Sequence, residues 1–333
     1  MKVLLITSKE EDYLQDSIIH GFKQLLGRDA IDYPAKNILY NDYRNVNSLR
    51  GNGFTLYGLL DSNLKITKEL NIEAEICDNK FDLIVFTSIY RQYEVFYRYF
   101  ELLKKQAKKV WVIDGEDTPL VFPYLPKHLK KYMFSPKPHN HFVYFKRELH
   151  TQGSKSLYLK FSEIASEKIV HSNELKSISF SIPQSKIINF IPVKTKLFPR
   201  HIVDEEFANK ISSGDTRYIF NNEKDYYLDL QQSKFGITTR RAGWDCMRHY
   251  EIAANASVIC FKNLDQKPAL CAPHGLISEK NCLSYSDYDD LMDKINNLSE
   301  NKYEALLNSS LQWIKNNTTT QRVRCLLQNQ KAL

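Results

Sequence analysis

Short, uninterrupted apolar runs, each followed by an amphipathic stretch, constrain this sequence more than any other feature. Val3–Thr7 (VLLIT) opens the chain. Tyr13, Ile18, Phe22, Leu25 and Leu26 then fall at helical spacing until Gly27 stops them. Asp82–Thr87 (DLIVFT) repeats the run, Tyr93–Ala107 repeats the helix in aromatic form, and Val110–Ile113 (VWVI) follows. Strands apolar throughout are buried on both faces, as in a parallel sheet covered by helices. The alternation predicts an open α/β sheet.

Residues 118–145 interrupt that rhythm. Prolines at 119, 123, 126, 136 and 138, together with His139-Asn140-His141, predict an extended, irregular segment. Phe142–Phe145 and Ser177–Ile182 read as further strands, and a domain boundary is expected between residues 180 and 200, where Pro183, Pro192 and Pro199 fall. The second half restarts the alternation. Strands are expected at Tyr218–Phe220, Phe235–Thr238 and Val258–Phe261. Helices are expected at Lys224–Gln232, Asp245–Ala254, Asp287–Asn297, Tyr303–Lys315 and Thr320–Gln328. The expected architecture is therefore α/β, with two Rossmann-like domains facing a cleft, residues 1–185 and 186–333, the last helix packing back on the first domain. A length of 333 residues agrees, because single cores stop growing near about 250–300 residues.

The 46 Lys+Arg exceed the 39 Asp+Glu by 7, and no single stripe gathers the excess. That distribution argues against a nucleic-acid partner and allows an anionic ligand. The pairs Lys104-Lys105, Lys108-Lys109 and Lys130-Lys131 read as solvated faces. The six cysteines include no C-x-x-C pair, and Cys260 sits inside an apolar run as a small hydrophobe, so reduced thiols are expected. The first apolar run is too short for a signal-peptide core, and no run approaches the roughly 18 residues of a membrane span. A cytoplasmic location follows as an expectation, with peripheral contact at the inner face of the membrane left open.

In an open parallel sheet, ligands bind beyond the carboxyl ends of the strands, so polar clusters directly after a strand are the candidate sites. After Phe235–Thr238 come Arg240, Arg241, Gly243 and Asp245. Asp245 is a candidate N-cap, and two guanidinium groups beside a helix N-terminus suit a phosphate or pyrophosphate. Arg248, three residues on, can join them; a surface ion-pair network with Asp245 and Glu251 is the plain alternative. Glu251 lies on the same helix as a bidentate acceptor for ribose hydroxyls or as a simple helix partner of Arg248. His249 reads as a donor-site or a structural histidine. After Val110–Ile113 come Asp114, Glu116 and Asp117, carboxylates that can crowd one another into a general base, hold a divalent cation, or form a polar turn. His20 is a separate candidate base. Lys262-Asn263 and Lys146-Arg147 each follow a strand and complete the cleft. His139 and His141 lack companion cysteines at zinc spacing, so no metal site is expected there. There is no G-x-G-x-x-G, Walker loop, H-E-x-x-H or G-x-S-x-G.

The segment from Arg240 to Cys260 (RRAGWDCMRHYEIAANASVIC) resembles the donor-site region of GT-B glycosyltransferases, above all the bacterial family-1-type and CgeB-like groups. Tyr226 to Gly236 (YYLDLQQSKFG) is similar to the helix and S-x-x-G strand of that region. The resemblance implies a nucleotide-sugar donor, Glu251 at the ribose, Arg240 and Arg241 at the diphosphate, and no metal cofactor. It implies transfer to a glycan, a lipid-linked or another acceptor, as in bacterial surface polysaccharide or glycoconjugate synthesis, with Asp117 or Glu116 as base if the reaction inverts. The first glutamate of the two-glutamate donor pattern is absent, and Asp245 is the nearest acid. A nucleotide-sugar 2-epimerase and a non-catalytic sugar-nucleotide or glycan-binding module remain alternatives on the same fold.

Overall fold

The computed structural model describes residues 1–66, 70–124, 134–151, 153–160, 163–172, 174–211 and 214–331. The pair Lys130-Lys131 lies outside them. The chain forms two compact units. Unit 1 comprises Met1–Asp42, Leu59–Ser179 and Pro268–Ala272; unit 2 comprises Tyr43–Gly58, Phe180–Lys267 and Pro273–Leu333. The chain thus passes between units near residues 42, 58, 179, 267 and 272, rather than once.

Unit 1 is built on β1 (Val3–Ile6), β2 (Ala30–Tyr33), β3 (Leu83–Phe86), β4 (Val110–Asp114), β5 (Val143–Lys146) and a short β8 (Leu175–Ser177). Their order is β2-β1-β3-β4-β5-β8, all parallel. The runs VLLI, LIVF and VWVID are buried at every position, as their unbroken apolar character requires. Helix α1 (Tyr13–Leu26) starts where the Asp12 carboxylate accepts the N–H groups of Leu14 and Gln15, and ends at Gly27 with φ of 58°. Helix α2 is Ile72–Cys77. The expected helix 93–107 is two helices, α3 (Ile89–Arg98) and α4 (Phe100–Lys104), because Tyr99 leaves helical geometry at φ −105°, ψ 10°. Leu4, Ile84, Phe86, Phe96, Phe100, Val112 and Phe142 form the heart of this core. An antiparallel hairpin, β6 (Ser154–Lys160) with β7 (Glu163–Val170), was not foreseen. The strand expected at Ser177–Ile182 is β8, which ends at Ser177.

Unit 2 has a three-stranded parallel sheet ordered β11-β10-β9: β9 (Phe235–Thr238), β10 (Val258–Lys262) and β11 (Cys282–Tyr285). Its helices are α5 (Glu205–Asn209), α6 (Glu223–Gln231), α7 (Met247–Ala254), α8 (Tyr288–Asn296), α9 (Glu300–Lys315) and α10 (Thr319–Lys331). Phe198, Phe207, Phe235, Val258, Leu283, Tyr303 and Leu307 share its core. Tyr218–Phe220, expected as a strand, is irregular. Its aromatics pack instead on one another and on Tyr226, with Tyr218 and Tyr226 centroids 5.8 Å apart. All six cysteines are free thiols. Among the described residues no helix is long and apolar enough to cross a membrane.

Candidate functional site

In unit 2, β9 delivers the chain to the loop 239–246 and then to α7. Gly236 lets α7 lie close against the strand: a Cβ there would sit 2.5 Å from Ile252 Cγ2. Helix α7 begins later than expected. Cys246, not Asp245, is its N-cap, and no side chain caps it, so the free N–H groups of the first turn have no carboxylate of their own. Asp245 is turned inward instead. It is buried, and its carboxylate accepts Phe180 N–H at 2.8 Å and Tyr250 O–H at 3.1 Å. His249 is also internal. It is fully buried, stacks on Phe261 at 4.5 Å, and its ring nitrogens face Thr238 Oγ1 at 3.1 Å and the Trp244 carbonyl at 3.0 Å. Both residues lie near the helix start, and these contacts tie them to the loop and to its surroundings. Burial works against a charged His249, yet the neighbouring Cys246 sulfur holds the imidazole above its ordinary value. Burial would raise the Cys246 thiol, but His249 outweighs it and brings the thiol down to about 7.

The arginines are placed differently. Arg240 and Arg241 are exposed on the loop. The Arg240 guanidinium lies 5.1 Å from the Trp244 ring centroid, and the Arg241 N–H closes the turn onto the Gly243 carbonyl at 3.0 Å. Arg248 is half-buried on the first turn of α7, near enough to Glu251 and His201 for its charge to act on both. Burial, reinforced by that charge, holds His201 below the ordinary imidazole value.

Glu251 is the centre of this site. One carboxylate oxygen accepts the Thr55 hydroxyl, and the other accepts the Tyr226 O–H at 2.8 Å. Burial raises its pKa, opposed by those two hydrogen bonds and by Arg248. Thr55 comes from the segment Tyr43–Gly58, which belongs to unit 2. Its N–H donates to Glu223 at 2.5 Å, and its hydroxyl also lies 2.8 Å from Tyr227 Oη. Thr55 holds φ at 74°, a conformation that costs a β-branched residue about 1–3 kcal/mol. The surrounding contacts hold it there. Thr55, Glu223 and the second role of Tyr226 went unseen in the sequence. The signal was the crowded glycines Gly51, Gly53 and Gly58, all at positive φ.

At the end of β10, Lys262 is neutralised within the unit by Asp204 at 3.0 Å and Glu206 at 2.9 Å. Asn263 adopts a left-handed φ of 56° and turns the chain, its N–H donating to Tyr285 O at 2.7 Å.

In unit 1 the cluster after β4 divides into buried and accessible parts. Asp114 is fully buried and accepts Lys146 Nζ at 2.9 Å and Tyr144 O–H at 2.5 Å. Lys146 is equally buried. Arg147, 2% exposed, donates from Nε to Gly115 O at 2.9 Å and pairs with Asp117 and Glu148. These three residues, expected to line a cleft, tie the ends of β4 and β5 together, and their charges are satisfied internally. Glu116 and Asp117 remain accessible, with side chains 27% and 47% exposed. Arg91 bridges Glu116 at 2.9 Å and Asp12 at 2.7 Å. Burial raises the Glu116 pKa against the pull of Arg91, and the Asp114 charge adds to the rise. His20, by contrast, is buried in α1 within a run, Leu14 to Lys23, that is buried at every position. Glu148, His150 and Cys271 bring three potential metal-ligand atoms within 4.8 Å of one another.

No protein-family model and no curated protein sequence matches the chain. Solved structures do. The chain is similar to a glycosyltransferase from Rickettsia africae ESF-5, with a TM-score of 0.56 and 12% identity over 99% of this chain and 98% of that one. It is similar to Anabaena HepE in complex with UDP and glucose, with a TM-score of 0.53 and 11% identity over 98% and 99%. HepE with UDP-glucose gives 0.53 at 9% identity, with both chains covered in full. The likeness is one of fold: the chain has the α/β fold of GT-B glycosyltransferases.

Proposed function

We propose that the protein transfers a sugar from a nucleotide-sugar donor, bound in unit 2, to an acceptor bound by unit 1. The observation that carries this reading is Glu251, a half-buried carboxylate gripping two hydroxyls beside the arginine-bearing start of a helix. A carboxylate so placed is chemically suited to the two hydroxyls of a ribose. The ribose would take over the place of the Thr55 hydroxyl. Arg240, Arg241 and Arg248, with the uncapped N–H groups of α7, would neutralise the diphosphate as it leaves, the point at which charge develops. Guanidinium groups can fill the role a divalent cation has in other phosphate sites, so no metal cofactor is required of this donor site. The solved HepE structures of like fold hold UDP and UDP-glucose, which makes a uridine nucleotide the first donor to test.

Glu116 is the favoured general base over Asp117. Its burial raises its pKa toward the range in which a base works. A bacterial surface glycan or lipid-linked acceptor, kinship with the CgeB-like group, and action at the inner face of a membrane extend the same proposal.

A thermal-shift panel of UDP-, GDP-, CMP- and dTDP-sugars tests it. A ligand at 100 times its dissociation constant stabilises the native state by about 2.7 kcal/mol. Glu251→Gln keeps the side-chain volume but loses the charged acceptor. Charged hydrogen bonds are each worth about 1.5–3 kcal/mol, so nucleotide affinity should fall at least tenfold. Arg241→Ala should abolish transfer and leave the fold unchanged. A panel that produces no shift, or full transfer by Arg241→Ala, would refute the donor site.

A further inference from the structure

Cys271 reaches unit 1 from the second half of the sequence, in the short segment Pro268–Ala272. That segment lies against the turn following β5, with Ala272 N–H donating to Arg147 O at 3.2 Å. There the Cys271 sulfur stands 3.2 Å from Glu148 Oε2, and His150 Nε2 stands 3.7 Å from the same oxygen. Cys271 and Glu148 are buried, and the His150 side chain is 30% exposed.

We infer that Glu148, His150 and Cys271 form a binding site for a divalent transition-metal cation, zinc above all, independent of the donor site. A tetrahedral zinc ion with Zn–S near 2.3 Å and Zn–N or Zn–O near 2.0–2.1 Å separates its ligand atoms by about 3.3–3.6 Å. The two measured separations lie within a few tenths of an ångström of that range. The distance of 3.7 Å is also too long for a direct hydrogen bond between His150 and Glu148, while it suits two ligands of one ion. The donor set is one sulfur, one nitrogen and one oxygen, which selects zinc over magnesium or calcium. One carboxylate and one thiolate balance the charge of the ion. Binding replaces the thiol proton: the S–H bond breaks, the S–Zn bond forms, and the proton leaves to solvent. Arg147 lies 3.4 Å from the other carboxylate oxygen, Oε1, and so orients Glu148 with Oε2 toward the ion. The partial exposure of His150 gives the ion its access, and a water from solvent would be the fourth ligand. The role is structural, since the ion would fasten Pro268–Ala272 to the turn that also holds Gly115 and Asp117 through Arg147.

The test uses the full reduced chain, free of any histidine tag, treated with a chelator and titrated with cobalt(II) chloride. Stoichiometric binding with a thiolate-to-cobalt charge-transfer band and intense visible bands of tetrahedral cobalt is expected, and zinc should displace it. Cys271→Ser should lose the charge-transfer band, and Cys77→Ser should keep it. His150→Gln alters a partly exposed side chain, so the fold is preserved and affinity should fall about tenfold or more. A folded wild-type chain without a stoichiometric band overturns the site. So does a band that survives Cys271→Ser, or wild-type affinity in His150→Gln.

Discussion

Replacing Gly236 by alanine tests the contact that seats α7 against its sheet. The added methyl would meet Ile252 at 2.5 Å from Cγ2, 2.8 Å from Cγ1 and 3.0 Å from Cδ1. All three atoms belong to one β-branched side chain that is 1% exposed. Such a side chain has one favoured χ1 in a helix and no space into which to turn. Overpacking of this kind costs about 1–3 kcal/mol. Alanine in a strand interior recovers about 0.5–1 kcal/mol by reducing the freedom of the unfolded chain. A net loss of about 1–2 kcal/mol is expected. Ile252→Ala alone should cost about 2–5 kcal/mol, because it leaves a cavity. Together the two changes should cost less than their sum, since the new methyl enters the space that Ile252 vacates. Urea denaturation of the four proteins in this cycle measures the coupling. Gly236→Ala as stable as the parent, or costs that simply add, would refute the claim that this glycine sets the helix-to-strand distance.

Other predictions concern buried charge. Lys146→Met strands Asp114 without its cation and should destabilise by about 3–5 kcal/mol; adding Asp114→Asn should restore much of the loss in urea denaturation. His139 is 2% exposed, and burial followed by the charges of Lys137 and Lys168 lowers its pKa from 6.5 to about 4. Its folded value lies below its unfolded one, so its contribution is complete above pH 6.5 and is lost as pH falls toward 4. The full window is worth about 3 kcal/mol. His139→Phe should flatten that part of the stability–pH curve, and parallel curves for the two proteins would contradict the assignment. The effect of Glu251→Gln on nucleotide affinity, described above, is measured by titration calorimetry.

The parallel sheets were legible because their strands are apolar at every position. VLLI, LIVF and VWVI carry that signal without help from partners. β2 did not, because its sequence, AIDY, holds an aspartate. Asp32 is tolerated in a buried strand only because Lys23 pairs with it at 2.7 Å and Tyr40 donates to it at 2.9 Å. Neither partner is a neighbour in sequence. β11, with the sequence CLSY, is short and lacks β-branched residues. At the candidate site, the rule that ligands meet strand ends singled out Arg240, Arg241 and Glu251, the residues on which the proposed donor site rests. It could not tell which of the polar groups at those strand ends are buried among protein partners and which are exposed. Asp245, His249, Asp114 and Lys146 have the residue types of a reactive site, but their partners, Phe180, Thr238, Tyr144 and one another, occupy them. Thr55 was out of reach for a different reason: it lies 196 residues from Glu251 in the chain.

The division of the chain between units also bears on synthesis. When Ser179 emerges from the ribosome, unit 1 still lacks Pro268–Ala272. The roughly 90 residues between them take about 5–20 s to make at ordinary elongation rates. Meanwhile Tyr43–Gly58 has been made early and waits for the rest of its own unit. Leu49, Phe54, Leu56 and Tyr57, all buried in the finished protein, have no permanent cover during that interval. Neither unit is complete until the nascent chain has passed residue 272, so the final packing of both comes late in translation.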